Sequence, residues 1–223
     1  MTDAPSITAI LRRRELWGSC LGQFCGTYTL YLVWSWLPVY LVSTHGFSMA
    51  QMAPVGAGVY VLSAVISILA GWASDRRIAA GATPGRLRMS GLIVGLSIVT
   101  VCLVVCAQAN TVGALLGMAG CGIGIGIWTP ALFVSAQTLA GPRAIGRWFG
   151  VQNCFGNFAG MTAPLVTGIV VDRTGHFASA FVIAAGVAVI GILAYGVIVR
   201  RIAPIEWRTA EPTRWVAALP PQG

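Results

Sequence analysis

Lysine is absent from this chain, and only 6 of its 223 residues are acidic. Charged residues make up 9% of the sequence, against about a quarter in an ordinary soluble domain. Hydrophobic residues make up 57%, and the mean hydropathy is +0.80. The length alone would suit one or two soluble domains, but so little charge cannot cover their surface, so the class is integral membrane protein. All 14 basic residues are arginine, and the net charge of +8 invites a nucleic-acid reading. Position excludes it: the arginines sit at the ends of apolar runs rather than along one face or stripe.

Other absences narrow the chemistry. The six cysteines (Cys20, Cys25, Cys102, Cys106, Cys121, Cys154) lie inside apolar runs with no Cys-x-x-Cys spacing and no histidine nearby. That excludes a zinc-type site and leaves them as small packing residues. There is no nucleophile–base arrangement, phosphate-cradling loop or cofactor motif, so an enzyme finds no support. No Asp, Glu, Lys or His falls in the central part of any apolar run. A proton-coupled carrier needs a buried ionisable group that changes protonation as its site alternates, and these runs supply none at membrane depth.

What is present is a series of six apolar runs, each long enough at 1.5 Å per residue to cross about 30 Å of hydrocarbon. They cover residues 16–42, 52–73, 89–107, 112–139, 148–171 and 177–199, between a polar lead-in (1–15) and a proline-containing tail (200–223) expected to lack fixed structure. Arg12-Arg13-Arg14 before an apolar run imitates a secretion signal. The run continues past Trp36 without a small-residue cleavage site, so a retained first span is expected. Gly18, Gly22 and Gly26 flatten one face of that span for close packing, and Gly120, Gly122, Gly124 and Gly126 do the same in the fourth, where Pro130 is expected to add a kink. Six spans put both termini on one side. With the N-terminus inside, 13 of the 14 arginines are cytoplasmic and only Arg173 is outside, so the positive-inside bias predicts cytoplasmic termini in a cell membrane.

The break from Gly71 to Arg88 is the one charged cluster amid the first four runs. Its Gly71-x-x-x-Asp75-Arg76 is echoed by Gly168-x-x-x-Asp172-Arg173, and Trp36-Leu37-Pro38 by Trp128-Thr129-Pro130. The echoes predict two three-helix repeats, of opposite topology because three is odd. This is a recurring build of secondary transporters that bind solute near the midplane. Asp75, Arg76 and Arg86 are candidates for a gate on the cytoplasmic side, the alternative being a solvated turn that only sets topology.

Inside the spans the remaining polarity is neutral. Gln152, Asn153 and Asn157 cluster in the fifth span, with Asn153 and Asn157 one turn apart; Tyr28, Tyr31 and Ser35 share a side of the first. Buried amides need partners, so these residues either line a watery cavity and bind a polar solute, or bond across helices. His45 and His176 fall in outer loops and are expected to be solvated.

Three motif groups together resemble the C-terminal half of a major facilitator superfamily transporter, most closely the anion:cation symporters of sugar acids and other organic anions. The first is Trp34-Ser35-Trp36-Leu37-Pro38-Val39-Tyr40-Leu41 followed by Gly46-Phe47-Ser48. The second is the turn from Gly71 to Arg88, and the third runs from Gly150-Val151-Gln152-Asn153 through Asn157, Pro164 and Gly168 to Thr174-Gly175-His176-Phe177. The resemblance implies an all-α half-fold of six helices and solute-facing amides at Asn153 and Asn157. It also implies a small organic-anion substrate and a partner N-terminal half that carries the coupling groups; the alternatives are an autonomous six-helix channel or facilitator that forms a homodimer, and a non-transporting vestigial membrane protein. No cofactor and no nucleic acid are expected. Two departures stand out: His45 where an arginine is common, and Ile78 to Pro84 intervening before Gly85-Arg86.

Overall fold

A computed structural model of the chain describes residues 4–207. Among these residues everything is helix or short connection. Helix α1 is Ile7–Leu11, α2 Arg14–His45, α3 Met49–Ala79, α4 Pro84–Gln108, α5 Thr111–Thr174, and α6 Phe177–Leu193, which continues as a π-turn over Ala194–Val199. Four helices are long and apolar enough to cross a membrane: α3, α4, α5, and α6 with its π-turn. The 64-residue α5 is two spans end to end. Its backbone breaks at Gly141, where φ 67° and ψ 172° lie in a region open essentially only to glycine, and Pro142 restarts the second limb at a position that needs no N–H donor. Helix α2 is the exception in hydropathy, because Gln23, Tyr28, Thr29, Tyr31 and Ser35 interrupt it. It compensates by packing inside, with Leu16, Leu32 and Leu41 fully buried. Six membrane-length helices result, and the chain is an all-helical multi-pass membrane protein.

The glycines decide how these helices meet. Residues two apart on a helix face nearly opposite ways, so the run Gly120 to Gly126 serves two neighbours. Gly120 and Gly124 receive Cys102 and the backbone of Gly95 on α4, while Gly122 and Gly126 receive Val59 and Ser63 on α3. On α2, Gly22 lies under the Tyr195 ring and Gly26 under Trp128. The first limb of α5 thus sits between α3 and α4, and the second limb lies along α2 through Gly156, Gly160 and Gly168. Pro130 keeps a helical backbone within α5, and the non-helical break of that helix falls at Gly141.

Both polar ends are better ordered than their composition predicts. In the lead-in, α1 buries Ile10 completely, and Arg147 donates to the Pro5 carbonyl at 2.5 Å. In the tail, Ile202 joins the core, Ile205 N–H donates to the Leu139 carbonyl at 3.1 Å, and the Trp207 indole donates to the Ala140 carbonyl at 2.8 Å. The expectation of an unstructured tail therefore fails for residues 200–207; the rest of that tail, with Arg208 and Arg214, lies outside the described residues. These contacts gather the lead-in, the α3–α4 turn, the Gly141 break and the end of the π-turn at one pole. Among the described residues every arginine except Arg173 belongs to these segments.

At the opposite pole His45 is not the solvated histidine expected. Its Nδ1 is 3.2 Å from Thr111 Oγ1 and its Nε2 is 2.9 Å from Tyr40 Oη. Tyr40 must donate to the Cys106 carbonyl, 2.9 Å away, so His45 Nε2 donates to Tyr40 and Nδ1 accepts from Thr111. The imidazole ties the end of α2 to α4 and to the start of α5. His176 is exposed, as expected.

Candidate functional site

The amides of the second limb and of α2 form one hydrogen-bonded chain. It starts at Trp148, fully buried, whose indole Nε1 donates to Gln152 Oε1 at 2.8 Å. Gln152 Nε2 donates to Gln23 Oε1 at 3.0 Å, crossing from the second limb to α2. Gln23 Nε2 donates back to Asn153 Oδ1 at 3.1 Å. Asn157 Nδ2 donates to the same Oδ1 at 3.0 Å and to the Asn153 main-chain carbonyl at 2.8 Å. Gly156 makes the crossing possible, since a Cβ there would sit 2.5 Å from Gln23 Nε2.

The six expected wall residues do not share one surface. Gln152 is 1% exposed and Tyr28 is 4% exposed; both face protein. Position 152 is about 100° round the helix from 153, which aims it at α2 while Asn153 stays open. Asn153, Asn157 and Ser35 are exposed, and Tyr31 is half-buried with its ring against Gly160, one turn from Asn157. The open rim is therefore Ser35, Tyr31, Asn153 and Asn157, backed by an interior of Gln23, Gln152 and Trp148. Gln23 and Trp148 are the members that sequence reasoning missed. Gln23 carries a faint signal, being the one amide within the glycine face from Gly18 to Gly26. Trp148 carries none, as its role depends on facing Gln152 one turn later.

The rim has a definite polarity. Asn153 Oδ1 is occupied by two donors, so its Nδ2 N–H groups are the free ones; Asn157 spends its N–H groups inward and leaves its Oδ1 free. One donor group and one acceptor thus stand a turn apart on an exposed face, suited to a carboxylate and a hydroxyl.

The candidate gate residues lie elsewhere. Asp75, Arg76 and Arg86 are all exposed, and the Arg76 guanidinium stacks 5.3 Å from the Trp72 ring centre. Among the described residues the one ion pair is Arg14 with Glu15, so no ion pair joins Asp75 to an arginine in this structure. Asp75 instead helps line a cavity of about 500 Å³ between α3, α4 and the first limb of α5, together with Arg77, Arg88 and apolar residues such as Ile66, Val94 and Val134. Arg88 reaches Thr138 across this space. The cavity contains no residue of α2 or of the second limb, so it is separate from the amide rim.

The profile of the Major Facilitator Superfamily matches residues 2–164. The chain is 30% identical over 202 residues to the probable galactarate/D-glucarate transporter GudP of Escherichia coli strain K12, covering 90% of this chain and 44% of that protein. It is 33% identical over 185 residues to the D-galactonate transporter of Escherichia coli O6:H1, covering 82% and 42%. Among solved structures it superposes on the E. coli fucose:proton symporter FucP with a TM-score of 0.68 at 20% identity, covering 84% of this chain and 43% of that one. A peptide transporter of the POT type in complex with sulfate gives 0.72 at 16%, covering 87% and 41%. The chain spans less than half the length of each of these proteins. A profile match over most of the sequence, six packed membrane-length helices and fold likeness at these scores all lead to one assignment: the chain belongs to the major facilitator superfamily.

Proposed function

We propose that this chain is half of a secondary transporter for a small organic anion of the sugar-acid class. The observation that carries the reading is the exposed Asn153–Asn157 pair, with one amide offering N–H and the other C=O. It lies on helices that hold no mid-depth charge to compete with an anion. Relatives named as galactarate, glucarate and galactonate transporters support the same solute class. Proton coupling, if the whole assembly is a symporter, requires ionisable groups from outside these spans, because Asp75 and Asp172 stand near helix ends. A complementary half or a second copy would supply them. The nearly unburied face of α3, with Val61, Val65, Ile68 and Trp72 exposed, offers that partner a surface. Asp75, Arg76 and Arg86 would then act as a gate only when the partner brings them an opposing charge.

The test is uptake of labelled galactarate into cells that make the chain alone, or together with the N-terminal half of a sugar-acid relative. Asn153→Ala is expected to lower uptake about tenfold at unchanged membrane abundance, as for loss of one hydrogen bond to a charged group. Unchanged uptake would return the amides to a purely structural role. Robust flux from the chain alone would favour a self-sufficient facilitator made of two copies.

The arginine-rich pole is proposed to face the cytoplasm, with both termini. In a cysteine-free background, Thr44→Cys is expected to react with a membrane-impermeant maleimide in intact cells, and Arg77→Cys only after permeabilisation. The reverse pattern would invert the topology.

A further inference from the structure

We infer that Trp148 and Gln152, neither of which reaches the open rim, are positioning residues that set which way the Asn153 amide points and so make the rim selective for carboxylates. The inference rests on the solute-binding reading above.

An amide side chain can flip, exchanging its donor and acceptor ends with little change in shape, and a chain of amides can flip together. This one cannot do so freely, because both its ends are one-way groups. At the buried end the Trp148 indole can only donate, which fixes Oε1 of Gln152 toward it at 2.8 Å. The Nε2 of Gln152 then faces Gln23 at 3.0 Å, and the Nε2 of Gln23 faces Asn153 at 3.1 Å. At the other end the Asn153 main-chain carbonyl can only accept, which fixes the N–H groups of Asn157 inward at 2.8 Å. Two donors converge on Asn153 Oδ1 and hold its N–H groups outward. Gln152 is 1% exposed and Gln23 4% exposed, so water does not compete for these bonds and their sense is transmitted from one residue to the next. Without the indole donor only the Asn157 end holds the chain, and Gln152 and Gln23 can turn over together. Gln23 then presents its carbonyl to Asn153 and opposes the Asn157 donor, which raises the population of the flipped amide, whose exposed end is a carbonyl that repels an anion.

Two measurements separate this inference from the solute-binding reading. The first needs no solute: side-chain amide NMR of the purified chain in detergent micelles. The buried Gln152 and Gln23 NH₂ groups are expected to exchange slowly with solvent and that of the exposed Asn153 rapidly. In Trp148→Phe, which keeps an aromatic ring in the core, Gln152 protection is expected to fall; in Gln152→Met, which keeps the volume, Gln23 protection is expected to fall; in both, Asn153 protection is expected to rise. Native-like protection in both variants would overturn the relay whatever the protein carries. The second is competition of galactarate against the neutral polyol galactitol in the co-expressed carrier. Both variants are expected to weaken galactarate about tenfold, with galactitol within about twofold. Equal weakening of both solutes indicates general damage to the fold and overturns the positioning role, as does unchanged preference. If wild-type protein takes up neither solute, the solute-binding reading fails, and with it the selectivity claim, while the NMR result still decides the relay.

Discussion

Gly124→Val is expected to prevent the six helices from assembling. A Cβ on Gly124 would lie 2.7 Å from the Gly95 carbonyl oxygen and 3.0 Å from Val99 N, and one on Gly95 would lie 2.8 Å from the Gly124 carbonyl oxygen. The obstacles are main-chain atoms on both sides, so no rotamer change relieves them, and α4 must move off α5. The loss should reach at least about 3 kcal/mol, the upper end for overpacking. It should be larger in effect here because lipid provides no hydrophobic drive to bring separated helices back together. Size-exclusion of the detergent-solubilised protein reads the outcome: the variant should elute as aggregate, whereas Gly58→Ala, with nothing within 4 Å of the added methyl, should elute as wild type. A Gly124→Val protein that elutes and melts like wild type would show that the α4–α5 contact is looser than described.

Gln23→Leu is expected to damage both stability and transport. Leucine nearly matches glutamine in volume, so the Gly156 contact survives, but Gln152 Nε2 loses its acceptor at a position with no access to water. Leaving that group unsatisfied costs about 1–3 kcal/mol. Asn153 keeps only the donor from Asn157 and loses the cross-helix bond that orients it. Uptake of galactarate should therefore fall at least about tenfold, with a measurable drop in melting temperature. If melting falls and uptake does not, the amide chain is a structural tie between α2 and α5 and nothing more.

Of the two readings left open for the polar residues, bonding across helices holds for the Gln152–Gln23–Asn153 chain, while cavity lining is the proposal made for the exposed ends of Asn153 and Asn157. Gln152 bonds across helices through Gln23, and Asn153 does so with one end while showing the other outward. Spacing along one helix gives relative angles, so Asn153 and Asn157 could be placed on one face. It does not give the rotation of that helix against α2, which is why Gln152 and Tyr28 were grouped with residues they do not accompany. His45 illustrates the same limit: its polar partners, Tyr40 and Thr111, are 5 and 66 positions away. The Gly141 break was legible as a boundary between spans, but its hinge geometry was not, because a left-handed glycine leaves no hydropathic trace.

By itself the sequence determined that the chain crosses a membrane six times, that 13 of its 14 arginines flank the spans on one side, and that no charge lies at mid-depth. These follow from hydropathy and charge, quantities that simply add along the chain. Only the tertiary structure decided which apolar faces pack within the chain and which stay exposed, since protein and lipid favour the same side chains. It also decided which end of each amide is free. That depends on a one-way donor at Trp148 reaching Asn153 through Gln23 on another helix, a relation no local pattern contains.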